Sequence, residues 1–186
     1  MTERTTTALG IIDAQRGFMP AEEGQELWTD GFGELPIPDG EMVVPQINKM
    51  IEAAGSSALI FTTQDWHPQD TAHFSDEPNF ENTWPTHCVA ETPGAELHPN
   101  IRVPQNTWTF KKGQERLADG ADDTSYSGFN STIEVNGEVA FALPELLKQK
   151  GVTRLVLGGL ALDYCVKATA LDFVNKTDMD VVVAFE

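Results

Sequence analysis

The chain has 186 residues, of which 29 are acidic and 12 are basic, so its formal net charge at pH 7 is −17. This balance excludes nucleic acid and anionic membrane surfaces as expected partners, because both require a basic face on the protein. A hydrophobic content of 40% fits one globular domain, and no segment approaches the roughly 20 consecutive apolar residues of a membrane-spanning helix.

The N-terminus and the cysteine count bear on the compartment. The first seven residues lack the basic start and the apolar stretch of a signal peptide. The two cysteines, Cys88 and Cys165, are too few for a disulfide scaffold. We therefore expect a reduced, cytoplasmic protein.

Apolar runs alternate with helical patterns along the chain. Strands are predicted at residues 7–13, 57–63, 108–112, 154–158 and 180–186. Helices are predicted at 43–55, 143–151 and 164–175. Loops are predicted at 17–39, 65–105 and 113–137, and a loop as long as 65–105 inside a compact domain is usually functional.

Apolar strands separated by helices predict a three-layer α/β/α fold with Rossmann-like topology. Its central sheet is expected to be mostly parallel, with about five or six strands, and residues 1–186 are expected to form one domain. Ligands of such sheets bind beyond the carboxyl ends of the strands. The candidate site therefore comprises Asp13, Asp65, Lys112 and the turn before Cys165.

Cys165 follows an apolar strand and a glycine pair and stands at the start of a helical pattern. A thiol at a helix N-terminus lies near the positive end of the helix dipole and near backbone N–H groups, and both favour the nucleophilic thiolate. A buried core cysteine is the alternative, since cysteine is among the most frequently buried residues. The local sequence alone leaves both interpretations open.

Two further residues end predicted strands with a charge. Asp13 follows two isoleucines, and partial desolvation there would raise its pKa and suit a general base, whereas a loop-capping aspartate is the alternative. Lys112 ends the third strand and could pair with Asp13, although lysines more often stay solvated. Its neighbour Lys111 should point to the opposite face of the strand.

The long loop carries side chains that can bind a metal. They are Asp65, His67, His73 and His87. One carboxylate with two or three imidazoles suits zinc, manganese or iron with open coordination positions, and the spacing matches no closed structural zinc site. These residues alone leave metal binding open. His98 has no partner nearby in sequence and is expected at the surface.

Five segments resemble the nicotinamidase branch of the isochorismatase-like cysteine hydrolases, in that family's order. They are IDAQRGF at 12–18, TQDWHP at 63–68, WPTHCVAETPGAEL at 84–97, KG at 112–113 with SYSGF at 125–129, and GLALDYCV at 159–166. The resemblance spans nearly the whole chain. Its second and third segments are specific to the metal-bearing nicotinamidases.

The resemblance implies a catalytic triad of Asp13, Lys112 and Cys165. Cys165 would attack the carboxamide carbon of nicotinamide to form a thioester, Asp13 would pass the thiol proton to the departing ammonia, and Lys112 would hold Asp13. A cis peptide bond between Leu160 and Ala161 is also implied, as is an oxyanion hole made by the backbone N–H groups of Ala161 and Cys165. The expected products are nicotinate and ammonia, within NAD salvage, and pyrazinamide is an expected second substrate.

The resemblance also implies one divalent metal ion, with zinc as the first choice and iron or manganese as alternatives. Asp65, His67 and His87 would hold the ion, and His73 or water would complete its coordination. In this family the metal orients the ring nitrogen of nicotinamide. The residues implied to line the pocket around the ring are Phe18, Trp84, Tyr126 and Tyr164. The small-molecule substrate is the expected partner of a monomer or homo-oligomer.

Three features depart from the family pattern. His73 lies eight residues after Asp65, whereas many relatives have a histidine six residues after, which leaves its role as a ligand open. Arg16 and Gly17 stand where many relatives carry Asn-Asp. The chain also ends directly after the fifth predicted strand, where relatives usually continue, so the domain is expected to be short at its C-terminus.

Two alternative functions are compatible with the sequence. A sibling hydrolase would act on another small amide, and its rates on ureido acids and isochorismate would identify it. A non-catalytic binding protein would retain the fold, without thiolate reactivity and without ammonia release from any carboxamide. The metal-binding segments argue against the first alternative and the intact triad argues against the second.

Overall fold

The computed structural model describes residues 6–21, 23–55, 57–114, 126–135 and 138–185. Within them, seven strands form one sheet in the spatial order β5-β4-β3-β2-β1-β6-β7. The strands are β1 (Thr7–Ile12), β2 (Leu59–Asp65), β3 (Trp108–Lys112), β4 (Thr132–Val135), β5 (Glu138–Ala142), β6 (Arg154–Gly159) and β7 (Asp180–Val183). The pairings from β3 to β7 through β2, β1 and β6 are parallel, and β4 and β5 extend the sheet in the antiparallel sense.

Four α-helices connect or flank these strands in the described residues. They are α1 (Leu27–Asp30), α2 (Val43–Ala54), α3 (Leu143–Gln149) and α4 (Lys167–Lys176). A π-helical turn, Leu162–Val166, directly precedes α4. In the part of the chain that the structure describes, no helix has the length and apolar character needed to cross a membrane.

The sheet is covered on both faces, and β1 shows why. Leu9 and Ile11 belong to a core that includes residues of α2, whereas Ala8 and Ile12 belong to a second core that includes residues of α3 and α4. Successive side chains of a strand point to opposite faces, so α2 lies on one face and α3 and α4 lie on the other. The predicted three-layer, mostly parallel α/β/α fold is therefore confirmed.

The number of strands differs from the prediction of about five or six, because β4 and β5 form an antiparallel pair that the sequence analysis missed. β4 falls inside the predicted loop 113–137, and its Thr132 lies opposite Ala142 of β5. An Asn-Gly pair at 136–137 separates the two strands, and this dipeptide is typical of two-residue hairpin loops. Residues 115–125 and 136–137 of the predicted loop, and residue 186 of the last predicted strand, lie outside the described residues.

The centre of the sheet positions the candidate site. β1 lies between β2 and β6, with β3 beyond β2 and β7 beyond β6, so the strand order reverses between β1 and β6. Such a switch point opens a crevice at the carboxyl ends of the strands. Asp13 follows β1, Asp65 and Lys112 end β2 and β3, and Cys165 follows β6.

Candidate active site

Lys112 lies at the middle of a buried group of charges. Its Nζ is 3.0 Å from Oδ2 of Asp13, and it donates a short hydrogen bond to Oδ1 of Asp65. The sheet creates this arrangement, because Asp65 and Lys112 are directly paired residues of β2 and β3. All three side chains are buried. The structure thus brings the two carboxylates to the same ammonium group.

The charges within this group shift one another's pKa values. Burial alone would lower the pKa of Lys112, but the carboxylates of Asp13 and Asp65 outweigh it and raise that pKa well above its usual value. Burial alone would raise the pKa of Asp65, but Lys112 holds it far below its ordinary range. Lys112 is therefore a permanent cation and Asp65 a permanent carboxylate at neutral pH.

The pKa of Asp13 is shifted in the opposite direction to that of Asp65. Burial raises its pKa above the ordinary value, against the opposing effect of Lys112. The hydroxyl of Thr63 donates a 2.7 Å hydrogen bond to Oδ1, which leaves Oδ2 directed at Lys112. Its backbone φ of 44° lies in the left-handed region, where strain in non-glycine residues is often associated with function.

Cys165 lies within reach of both partners. Its Sγ is 3.6 Å from Nζ of Lys112, and Sγ and carboxylate oxygens of Asp13 and Asp65 lie within 4.8 Å of one another. Burial raises the pKa of the thiol well above its usual value, although Lys112 acts in the opposite direction. This shift favours the neutral thiol over the thiolate.

The turn that precedes Cys165 has an unusual backbone. The peptide bond between Leu160 and Ala161 is cis, at the position that the resemblance implies. The carbonyl of Ala161 accepts hydrogen bonds from the N–H groups of Tyr164 and Val166 and so closes the turn around Cys165. The preceding Gly159 has a φ of 135°, and a Cβ there would overlap the backbone of Ile12.

Three buried histidines form a cluster beside this group of charges. One ring nitrogen each of His67, His73 and His87 lies within 4.8 Å of the other two. Asp65 borders the cluster, since its Oδ2 is 3.7 Å from Nε2 of His67. The structure thus places His73 with the other two histidines, and Asp65 between the cluster and Lys112.

The histidine cluster fits a divalent metal ion. Nδ1 of His67 donates to the carbonyl of Gly113 and Nδ1 of His87 donates to that of Pro85, so Nε2 of each ring is left as a lone-pair donor. Among the described residues, Nε2 of His67 and Nδ1 of His73 are buried without a hydrogen-bond partner. Burial lowers the pKa of His73 and of His87 to about 4, so both rings are neutral, as metal ligands must be.

His98 does not lie at the surface, contrary to the expectation from sequence. The side chain is buried, its ring stands edge-on to Phe32 at 5.5 Å, and its Nδ1 accepts a hydrogen bond from the backbone of Asn100. Phe32 lies in a loop 66 positions earlier in the chain, so the residues near His98 in sequence give no indication of this contact. His98 is a packing residue outside the cluster.

A pocket of about 340 Å³ opens next to Cys165 and the histidines. The four aromatic residues predicted to surround a ring all line it, namely Phe18, Trp84, Tyr126 and Tyr164. Nε1 of Trp84 donates a 3.1 Å hydrogen bond to the hydroxyl of Tyr126, which fixes these two side chains relative to each other. Cys165, Asp65, His73 and His87 line the same pocket, so a small planar ligand would touch the thiol and the cluster together.

The family model described as the Isochorismatase domain matches residues 7–185. The chain belongs to the isochorismatase family. The nicotinamidase/pyrazinamidase of Mycobacterium tuberculosis is 33% identical over 169 residues, which cover 91% of this chain and 79% of that protein. The expected isochorismatase-like fold is therefore confirmed.

Solved structures of the isochorismatase family agree with this assignment. The pyrazinamidase of Pyrococcus horikoshii in complex with zinc gives a TM-score of 0.68 at 34% identity, covering 91% of this chain and 78% of that one. The PnC1 protein of L. infantum in complex with nicotinate gives a TM-score of 0.69 at 32% identity, covering 96% of this chain and 78% of that one.

Two parts of the site in this isochorismatase-family chain were missed by the sequence analysis. The apolar wall formed by Leu35, Pro36, Ile37 and Pro38 lines the pocket, and its Leu-Pro-Ile-Pro pattern, unusual within an acidic loop, was the available signal. Thr63 holds Asp13, but nothing in a strand threonine indicates which carboxylate it will face.

Proposed function

We propose that this chain hydrolyses nicotinamide to nicotinate and ammonia through a thioester on Cys165. One observation carries the proposal: Cys165, with Asp13 and Lys112 behind it, lines the same aromatic pocket as His73 and His87. A planar ring can therefore present a carboxamide to the sulfur and a ring nitrogen to the histidines. The similarity to a nicotinamidase/pyrazinamidase and to a protein solved in complex with nicotinate supports this choice of substrate.

The first half of the reaction forms the thioester. Asp13 accepts the proton of the Cys165 thiol as the sulfur attacks the carboxamide carbon, and Lys112 stabilises the charges of both groups. The backbone N–H groups of Ala161 and Cys165 bind the oxygen of the tetrahedral intermediate. Asp13 then gives the proton to the amide nitrogen, the C–N bond breaks, and ammonia leaves.

The second half regenerates the enzyme. Water attacks the thioester carbon while Asp13 accepts a proton from it, and the C–S bond breaks to release the carboxylic acid. The proton on Asp13 returns to the sulfur of Cys165. One water is consumed and one ammonia is released in each cycle, so the protein ends unchanged.

The proposed cofactor is one divalent metal ion, with zinc as the first choice. Asp65, His67, His73 and His87 would hold it, and when bound it would supply a Lewis-acidic position that orients the ring nitrogen. The four aromatic pocket residues would pack against the ring and exclude water. We also propose that the chain forms a single domain, that it hydrolyses pyrazinamide as a second substrate, and that it acts in NAD salvage.

Ammonia release from nicotinamide tests the proposal. We expect Cys165→Ala to abolish release while the protein retains its metal. Cys88→Ala changes the other buried thiol, which is not among the described residues that line the pocket, and leaves the backbone N–H and carbonyl of residue 88 in place, so it should retain activity. Full activity of Cys165→Ala would overturn the thioester mechanism. Wild-type turnover of ureido acids or isochorismate, without turnover of nicotinamide, would identify a sibling hydrolase instead.

A further inference from the structure

Glu34 lies outside the residues assigned to the site but is connected to them. It belongs to the loop after α1, and its half-buried side chain reaches the backbone of the loop that carries His87. Its Oε2 accepts a 2.7 Å hydrogen bond from the backbone N–H of Cys88. A hydrogen bond to an ionised acceptor is stronger than one between neutral groups.

Two glycines make room for the Glu34 carboxylate. A Cβ at Gly94 would overlap the carboxylate group, and a Cβ at Gly17 would lie 2.8 Å from Oε2. The carboxylate of Glu34 thus occupies space that a side chain at either position would need.

The amide that Glu34 holds belongs to a strained residue between two of the clustered histidines. Cys88 has a φ of 45°, which non-glycine residues rarely adopt. It directly follows His87 in the chain, and its carbonyl accepts a 3.1 Å hydrogen bond from the N–H of His67. The position of Cys88 therefore affects the backbone of both histidines.

The loop of Glu34 is itself fixed to the pocket. The N–H of Leu35 donates to the carbonyl of Gly17 and the N–H of Ile37 donates to that of Phe18, at 2.8 and 3.0 Å. Leu35, Ile37 and Phe18 all line the pocket. Glu34 therefore links the apolar wall of the pocket to the part of the loop that carries His87 and Cys88.

We infer that Glu34 is a positioning residue for the metal centre: its carboxylate holds the Cys88 peptide and thereby the orientation of His87 and His67. The inference rests on the proposed function only in taking the histidine cluster to be a metal site. Glu34 is not among the described residues that line the pocket or form the histidine cluster, and it acts through a backbone amide.

Zinc affinity and the visible spectrum of the cobalt(II)-substituted protein test the inference without measuring activity. We expect Glu34→Ala to weaken zinc binding about 10–100-fold in competition with a chromophoric chelator, which is the range for outer-shell partners of metal ligands. The cobalt spectrum should shift as the ligand geometry changes. Glu34→Gln retains a carbonyl acceptor for the Cys88 amide and should restore most of the affinity.

Glu96→Ala is the matched control. Glu96 is an exposed glutamate two residues after Gly94, so the variant removes the same charge from the same region. Its zinc affinity and cobalt spectrum should equal those of the wild type. An equal loss in Glu96→Ala and Glu34→Ala would reduce the effect to net charge and overturn the inference.

Gly94→Ala gives an independent test because its Cβ would displace the carboxylate. It should weaken zinc binding as Glu34→Ala does, and the double variant should be no weaker than either single variant. Additive losses would overturn the inference, as would unchanged zinc affinity in both Glu34→Ala and Glu34→Gln. The melting temperatures of Glu34→Gln and Glu34→Ala should be measured beside their zinc affinities. A difference in zinc affinity without a difference in melting temperature indicates positioning rather than unfolding.

The outcomes for the two proposals are distinct. A wild-type protein that binds zinc, loses affinity in Glu34→Ala and does not turn over nicotinamide would sustain the inference and reject the proposed substrate. A wild-type protein that binds no zinc would reject the metal centre and the role of Glu34 together.

Discussion

Nζ of Lys112 lies 3.0 Å from Oδ2 of Asp13, and both side chains are almost completely shielded from solvent. A second carboxylate, that of Asp65, pairs with the same ammonium. A buried charge is tolerated only when it is paired, so removing the cation leaves two anions uncompensated in the protein interior. Loss of the Lys112 charge is therefore expected to affect both the chemistry of the site and the stability of the folded protein.

Lys112→Met, which retains the length of the side chain but not its charge, should lower the free energy of unfolding by about 3–5 kcal/mol and abolish ammonia release. Denaturant unfolding followed by circular dichroism measures the first effect. Lys111→Met is the control, because Lys111 lies on the opposite face of β3 over the ring of Trp66 and should contribute only about 0.5–1 kcal/mol. Equal losses in the two variants would contradict the buried pairing.

The pH dependence of kcat/KM should report the raised pKa of Asp13. Burial raises this pKa, and a base is lost once it is protonated, so activity should fall on the acid side at a higher pH than an ordinary aspartate would give. Thr63→Val removes the hydrogen bond that stabilises the ionised form of Asp13. Its acid limb should therefore move to still higher pH.

Thr109→Val is the matched control for Thr63→Val. The hydroxyl of Thr109 bonds to Thr62, away from Asp13, so this variant should retain the wild-type pH profile. A Thr63→Val profile that does not move, or that moves to lower pH, would show that Asp13 is not the group that titrates.

His73→Ala should weaken zinc binding at least about 100-fold, because loss of a direct ligand exceeds the 10–100-fold loss typical of outer-shell changes. Ammonia release should fall in parallel and should return only at high added zinc. His98→Asn changes a buried histidine outside the cluster and should reduce stability while zinc affinity stays unchanged. If His73→Ala binds zinc as tightly as the wild type, water rather than His73 completes the coordination.

Gly159→Ala should destabilise the fold by more than about 1–3 kcal/mol. That range is the cost of one residue in a sparsely populated backbone region, and here the added Cβ would also overlap Ile12. Thermal unfolding would measure the loss, with Gly24→Ala as the control, since it shares a positive φ but has open space around it. Similar losses in the two variants would assign the effect to backbone strain alone.

Much of the site could be predicted from sequence because parallel strands bring their carboxyl ends together. This rule alone selected Asp13, Asp65 and Lys112, and the structure pairs both carboxylates with the ammonium group of Lys112. The resting state of Cys165 could not be predicted in the same way. Its pKa depends on how deeply the thiol is buried, which is a property of the assembled tertiary structure.

Other features were missed because their partners are distant in sequence. Glu34 meets Cys88 across 54 positions, and an acidic residue in an acidic loop carries no sign of that contact. β4 and β5 were missed for a different reason. The predicted loop 113–137 is rich in glycine, serine and aspartate, and this composition indicated a loop rather than a pair of short strands, despite the Asn-Gly pair between them.

The contacts among the residues of the candidate site join parts of the chain that are far apart in sequence. Thr63 and Asp13 are 50 positions apart, Lys112 and Asp65 are 47 apart, and Lys112 and Cys165 are 53 apart. Closing such long loops is entropically costly and makes parallel sheets slow to assemble. In a refolding experiment, the return of turnover would therefore report that β1, β2, β3 and β6 have all assembled. An isolated hairpin or helix pair from this chain could not produce turnover.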